Sequence, residues 1–340
     1  MNSFMSIRQF LMNSRVGGGV QAMRPFINRN GEARIQINAE QTLVANDATL
    51  RYDEWKDLDR TVLSVTTDRL AGVADLIGRG LVHNLGSLGS IISQWQKSSD
   101  MTPANFSMSG TTPGEKDRLT FDTDSVPVPI VHKDFSVNIR HLEASRRNGE
   151  SIDTMQTAVA ARKVAEASED MLFSGEAITV EGGTIYGYLN YPNRNTMDNG
   201  TPWTSITDNQ DIIDQVSAGL QMLRNDHFYG PYTIYIPGAY EAKLDEDFRA
   251  NDNRTVKQRI LALSGVAGIT VVDRLEADTV VIVQLTNDVV DMAIAQQPTT
   301  LQWQSQGPLV EEFKVMACWV PRLKSDFENN CGILHIRPGT

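Results

Sequence analysis

Two cysteines in 340 residues, Cys318 and Cys331, are too few for a disulfide framework or a cysteine zinc site, and they fit a reducing cytoplasm. Histidine is sparse as well. His83, His132, His141, His227 and His335 are dispersed, and none stands in an HExxH or comparable ligand spacing. Long apolar runs are missing: Thr279–Leu285 (TVVIVQL) has the length of a strand and is far too short to cross a bilayer. The first residues, MNSFMSIRQFLMNSRVGGG, hold only a brief apolar patch and no small-residue cleavage site, so no signal peptide is expected. There is no G-x-S-x-G elbow, and no GxGxxG follows a strand. Gly17–Gly19 lacks the Lys-Ser/Thr that a phosphate loop needs and reads as a bend. Ser264–Gly268 reads as a helix end and turn, Cys318 as a buried thiol, and the acidic clusters Asp245–Asp247 and Glu311–Glu312 as solvated faces. No catalytic, cofactor-binding or metal-ligating residue is assigned.

Net charge is −11, which opposes indiscriminate nucleic-acid binding by the body of the chain. The charge is uneven, because Arg8, Arg15, Arg24, Arg29 and Arg34 meet only Glu32 in the leading 34 positions. Such an arm is either a solvated tail or a segment that docks on acidic neighbours or faces a polyanion.

What the chain does contain is a well-marked helix, Asp153–Gly175 (DTMQTAVAARKVAEASEDMLFSG). Asp153 is a good N-cap with Gln156 at the capping-box position, and Gly175 supplies a left-handed stop. Ala160, Val164, Ala167 and Met171, with Ala161, Ala165, Ser168 and Leu172, form a broad face of mostly small side chains against which a sheet or helix can pack closely. Before it, Tyr52–Arg60 and Asp68–Leu81 read as two helices, the second capped by Asp68. Ala33–Asn38 alternates like a short strand. From Ser90 to Asn138 the pattern is a long two-stranded arm with scattered apolar residues, and an isolated hairpin of that kind needs a partner. After the long helix, Asn209–Arg224 is a second firm helix, and Ala239–Phe248 and Thr255–Leu263 also read as helical. Pro231–Ile236, Ile269–Val272, Thr279–Leu285 and Val289–Ala295 read as strands. Together these suggest an α/β lobe over about 209–297. Gln302–Pro338 is almost all strand, interrupted at Pro321.

The run Val128–Gly175 (VPIVHKDFSVNIRHLEASRRNGESIDTMQTAVAARKVAEASEDMLFSG), followed by Gly187-Tyr188-Leu189-Asn190, resembles the linocin-like encapsulin shell proteins and their relatives among tailed-phage major capsid proteins. Glu169-Asp170, Phe173, Gly175 and Gly187–Asn190 stand where that family has its "E-D-x-x-F-x-G" and "G-x-L-N". The helices around Trp55 and over Asp68–Leu81, the turn Leu85–Gly89 and the strands from Phe313 to Ile336 follow the family's order. The resemblance covers roughly residues 50 to 338 and rests on the order of features more than on any one motif.

That resemblance implies an α+β Hong Kong-97-type capsid fold. Its parts would be an N-terminal arm (1–50), a helical segment of the peripheral domain (51–87), an extended loop (88–134), the peripheral domain with the spine helix 153–174 (135–208), an axial domain (209–297) and return strands of the peripheral domain (298–340). It further implies a non-enzymatic major capsid protein that builds the icosahedral head of a tailed bacteriophage around double-stranded DNA. Assembly would take place in the host cytoplasm and the product would be a virion. Partners would be copies of itself in pentamers and hexamers, with scaffold, portal and decoration or cement proteins, and packaged DNA held without sequence-specific binding. No cofactor and no membrane are implied. Candidate intersubunit contacts are Trp95, Met101, Phe106, Met108 and Phe121 on the arm, with Arg8, Arg15 and Arg24. The candidate packing face of the spine is Ala161, Val164, Ala165, Ser168, Met171 and Leu172, set against the C-terminal strands.

The chain departs from the encapsulin pattern in about 50 extra N-terminal residues and a longer extended loop, which tilts the reading toward a viral subunit. An encapsulin-type compartment around a cargo enzyme is the alternative, and an α/β enzyme with a pocket in the 209–297 lobe is the third. Asn329 and Asn330 beside Glu328 are only suggestive of a covalent crosslink.

Overall fold

Helix formation early in the chain follows the spacing of buried side chains rather than intrinsic propensity. In this computed structural model, which describes residues 25–27, 33–36, 42–44, 50, 52–104, 106, 108, 116–147, 154–180, 183–249, 252–303 and 310–337, the first helix runs over Tyr52–Arg69 and not only to Arg60. Trp55, Leu58, Val62 and Thr66 recur at three- and four-residue steps and are all buried, which outweighs the weak helix preference of the β-branched stretch after Arg60. Thr61 Oγ1 donates to the Asp57 carbonyl at 2.8 Å, a local bond that keeps its hydroxyl satisfied inside the helix. Asp68 therefore lies within this helix and not at the start of the next. The next helix is Gly72–Gly78, entered from Ala71, whose side chain makes no cap bond.

The chain divides into two compact units, each assembled from three segments. One takes the residues up to Ile91, Val128–Leu172 and Met292–Val320; the other takes Ile92–Pro127, Phe173–Asp291 and Pro321 onward.

The first unit holds most of a four-stranded sheet in the order Val82–Asn84, Val290–Trp303, Val310–Leu323, Ile130–Asn138, whose strand ends Val290–Asp291 and Pro321–Leu323 belong to the second unit. The last two pair antiparallel from Val310↔Asn138 to Cys318↔Ile130. Phe135 and Phe313 stand directly opposite and stack, with ring centroids 5.2 Å apart. Leu50, Trp55, Leu58 and Phe313 form a buried cluster over which Phe135 and Val137 pack. The 310–323 strand runs through Pro321 instead of breaking there. Pro321 lies beyond the end of the register with 130–138, so its missing N–H removes no bond from that ladder. Glu311, expected on a solvated face, is buried and accepts from Gln302 Nε2 at 2.7 Å.

The long helix spans Met155–Phe173; the expected cap Asp153 lies outside the described residues. Ala160, Ala161, Val164, Ala165 and Ser168 are buried, while Met155, Val159 and Lys163 are exposed. The Trp319 indole N–H donates to Ser168 Oγ at 2.9 Å, and that hydroxyl donates to the Val164 carbonyl at 2.8 Å.

The second unit is built on a five-stranded mixed sheet, in the order Asn195–Asp198, Ile333–Arg337, Val280–Gln284, Tyr232–Ile236, Val266–Val271. The helix Asn209–Asn225 packs on it through Ile212, Val216, Leu220 and Leu223. Its Gly219 lets the sheet come close, since a Cβ there would sit 2.5 Å from a methyl of Leu334, which would have to move. The expectation that 298–340 as a whole completes the peripheral sheet is corrected here. Ile333–Arg337 pairs antiparallel with Val280–Val283 and parallel with Asn195–Asp198. Ile333, Leu334 and Ile336 are apolar on both faces of the strand, which suits an interior place in a covered sheet and not a one-sided edge. Ala239–Phe248 is likewise not one helix. A 3-10 turn Gly238–Tyr240 and a short helix Glu241–Leu244 give way to a strand Asp247–Arg249. Three successive acids, Asp245 to Asp247, oppose further growth at the negative end of a helix.

The motif residues after the spine owe their identity to a backbone crossing. Gly175 has φ +73°, and a Cβ on Gly187 would lie 2.4 Å from the Gly175 nitrogen and 2.6 Å from the Phe173 carbonyl oxygen. Leu189 N–H donates to that carbonyl at 2.8 Å, and Asn190 Oδ1 accepts from Gly187 N–H at 2.7 Å.

Candidate assembly surface

The arm is a hairpin of Ile92–Ser98 and Phe121–Pro127, paired antiparallel over seven positions from Ile92↔Pro127 to Ser98↔Phe121. Its root is clamped on both strands. On the first, Arg322 Nη1 donates to Ser93 Oγ at 3.2 Å, and the guanidinium lies 5.7 Å from the Trp95 ring centroid. The same guanidinium forks onto Asp291, with Nε and Nη2 each 2.6 Å from a carboxylate oxygen. Lys324 Nζ adds a bond to Asp291 Oδ2 at 2.7 Å. On the second strand, Gly183 of the Glu176–Val180/Gly183–Ile185 hairpin lies so close to Ser125 that a Cβ would be 2.9 Å from its carbonyl oxygen.

Away from the root the hairpin becomes a solvated ladder. Lys97 bridges Asp124 at 3.3 Å and Asp122 at 3.7 Å. The tip is drawn together where Thr102 N–H donates to Asp117 Oδ2 at 2.5 Å, and the Thr102 bonds hold the Asp117 carboxyl below its usual range. Met101 and Phe121 are mostly exposed there, and Phe106 and Met108 completely so. Four large apolar side chains on so thin an element form a surface that water does not favour. Trp95, grouped with them from sequence, is half-buried at the root and turned to Arg322. Arg8, Arg15 and Arg24 lie outside the described residues. On the spine, Ala161, Val164, Ala165, Ser168, Met171 and Leu172 are each buried.

Two buried charged groups were given no role from the sequence. One is the Asp291–Arg322 pair; its signal is a lone acid in VVDMAIA and a lone base in CWVPRL, each inside an apolar strand. The other is Glu169. Its carboxylate accepts from Gly72 N–H at 3.1 Å and Val73 N–H at 3.0 Å, so the spine caps a helix 97 residues earlier in the chain that cannot cap itself. Burial pushes its carboxyl up to about 7 despite those bonds.

A cleft of about 710 Å³ in the second unit is lined by residues including Asp198, Asp208, Asp211 and Asp214. Asp208 caps the 209–225 helix through Gln210 N–H, Asp214 accepts from Gln210 Nε2, and Asp198 pairs with Arg337 at 2.6 Å. These three carboxylates have structural partners, and no histidine, cysteine, lysine or arginine lines the cleft among the described residues. Cys331 is buried and its thiol is pushed up to about 12 by desolvation, far from a reactive thiolate. Asn330, adjacent to it, has its side-chain amide bonded to Asp326 Oδ2 at 3.1 Å.

Comparison with solved structures places this architecture. The virus-like particle protein of Pyrococcus furiosus superposes with a TM-score of 0.61 at 16% identity, covering 84% of this chain and 98% of that one. The capsid protein of Myoviridae phage XM1 superposes with a TM-score of 0.60 at 12% identity, covering 80% and 93%. In sequence, the type 1 encapsulin shell protein EncA of Myxococcus xanthus is 25% identical over 285 residues, 81% of this chain and 90% of that protein. The fold is thus α+β and of the Hong Kong-97 capsid type. Residues 39–336 match the family of unknown function DUF6260, and the chain belongs to that family.

Proposed function

We propose that this protein is a shell-forming subunit, and specifically the major capsid protein of a tailed phage. Copies of it would assemble as pentamers and hexamers into an icosahedral head around double-stranded DNA, with scaffold, portal and cement proteins as further partners and the virion as the final location. The observation that carries the reading is the hairpin tip: Met101, Phe106, Met108 and Phe121 are displayed to solvent on an element with no core of its own. In an assembled shell each tip lies across a neighbouring copy, and Arg8, Arg15 and Arg24 of the arm reach adjacent acidic surface. The axial part runs over 209–289 with the strands 195–198 and 333–337, because Val290–Trp303, expected to close the 209–297 lobe, pairs instead with 82–84 in the other sheet; the peripheral part is the spine with its long strands. The subunit acts by geometry and many modest interfaces, not by catalysis. A capsid-type fold and the likeness to a phage capsid protein support this reading.

The second reading, an encapsulin-type compartment, is favoured by the EncA match, which spans 90% of that protein. Electron microscopy of the purified protein tests both. Closed shells are expected, and protein that stays monomeric under all conditions overturns both. Shells from the native source that contain DNA and no cargo protein support the phage subunit, and a cargo enzyme without DNA supports the compartment. Replacing Phe106 and Met108 together with Asp should abolish shells while leaving the circular dichroism and melting temperature of the subunit unchanged, since both side chains are solvated in the isolated chain.

A further inference from the structure

Buried ion pairs are expensive to desolvate, and an apolar replacement of equal volume is often at least as stable. What an ion pair adds is direction: a forked guanidinium accepts a carboxylate in one plane only. The pair Asp291–Arg322 is of this kind, with side chains 1% and 5% exposed, and it lies at one point, the root of the hairpin. Arg322 alone joins three things there: the Asp291 carboxylate, the Ser93 hydroxyl and the face of Trp95. Ser93 pairs with Val126, next to the Gln94–Ser125 pair where Gly183 touches the opposite strand. Both strands are therefore held at one level, and the residues beyond it are free to be aimed as a lever.

We propose that Asp291 and Arg322 are positioning residues that fix the direction in which the hairpin leaves its unit and thereby set the curvature at which subunits join. This rests on the shell-forming reading, because the lever has a use only where its tip meets another copy. Lys324, the second cation on Asp291, keeps the carboxylate held when Arg322 is altered, which makes Arg322 the informative position.

The test is hydrogen exchange on the unassembled full-length protein, with electron microscopy of the assembled product. Arg322→Lys retains a positive charge but loses the fork, the Ser93 bond and the stacking on Trp95. Amides of 92–98 and 121–127 should then exchange about tenfold faster, the loss of roughly one hydrogen bond, while amides of 232–236 and 280–284 keep their rates. The shells formed should be heterogeneous in diameter. Ser93→Ala, which removes one bond from the hairpin side and leaves the ion pair in place, should give a smaller change of the same pattern and serves if Arg322→Lys does not fold. Unchanged hairpin exchange in either folded variant overturns the proposal. So does an equal loss of protection in the sheet, because that marks a general stabilising role. Wild-type protein that makes no shell overturns the shell reading, while the exchange pattern still decides whether the clamp aims the hairpin.

Discussion

Glu169 joins two elements by holding backbone N–H groups that a short helix cannot satisfy itself. Burial raises its carboxyl from 4.5 to about 7, with the Asp75 charge adding to the rise and the bonds from Val73, Gly72 and Ala71 opposing it. The folded form thus binds a proton more tightly than the unfolded one. Stability from this group is greatest below pH 4.5, falls as pH rises toward 7 and is level above it. The span corresponds to about 3 kcal/mol at most. Urea unfolding of the unassembled protein at pH 5 and pH 8 should show this group's penalty at the higher pH, and Glu169→Gln should remove that part of the difference. A variant with the wild-type pH dependence would show that Glu169 titrates normally.

Among elements, the spine helix shows most directly what periodicity can and cannot reveal. Ala165 is fully buried on a face that meets Trp319 through Ser168, so Ala165→Leu has no space to enter and should destabilise the subunit by about 1–3 kcal/mol in urea melts. Val159→Ala, on the exposed side, should change stability by no more than about 0.5 kcal/mol. The helix over Asn209–Asn225 was legible almost to the residue, because Ile212, Ile213, Val216, Leu220 and Leu223 recur at helical spacing, while its cap, Asp208, shows only in the fold. Tyr52–Arg69 was underestimated because its second half is β-branched and is kept helical by tertiary burial. Ile333–Arg337 was recognised as a strand but given the wrong neighbours, since an apolar run says that both faces are covered and not by what. The arm was legible as a hairpin but was drawn out to Asn138, whereas 130–138 pairs with 310–318, and its root clamp was not legible. Asp291, Arg322 and Ser93 lie far apart in the chain, and only the fold brings them together.

At the scale of the molecule, neither unit is a continuous piece of chain. The second draws on three segments, and its sheet places the last described strand, Ile333–Arg337, between 195–198 and 280–284. Until that strand arrives, 280–284 has an open edge and 195–198 has no strand partner among the described residues. A ribosome must therefore translate through Arg337 before this unit can close, which puts a delay between synthesis of its first strands and any encounter of finished surfaces. Stalled nascent chains ending at Lys324 should be cut by protease within 195–285, while released chains that include Ile333–Arg337 resist. Equal resistance of the two would mean that the sheet closes without its late strand. A timer of this kind would keep neighbouring copies on one polysome from joining half-made.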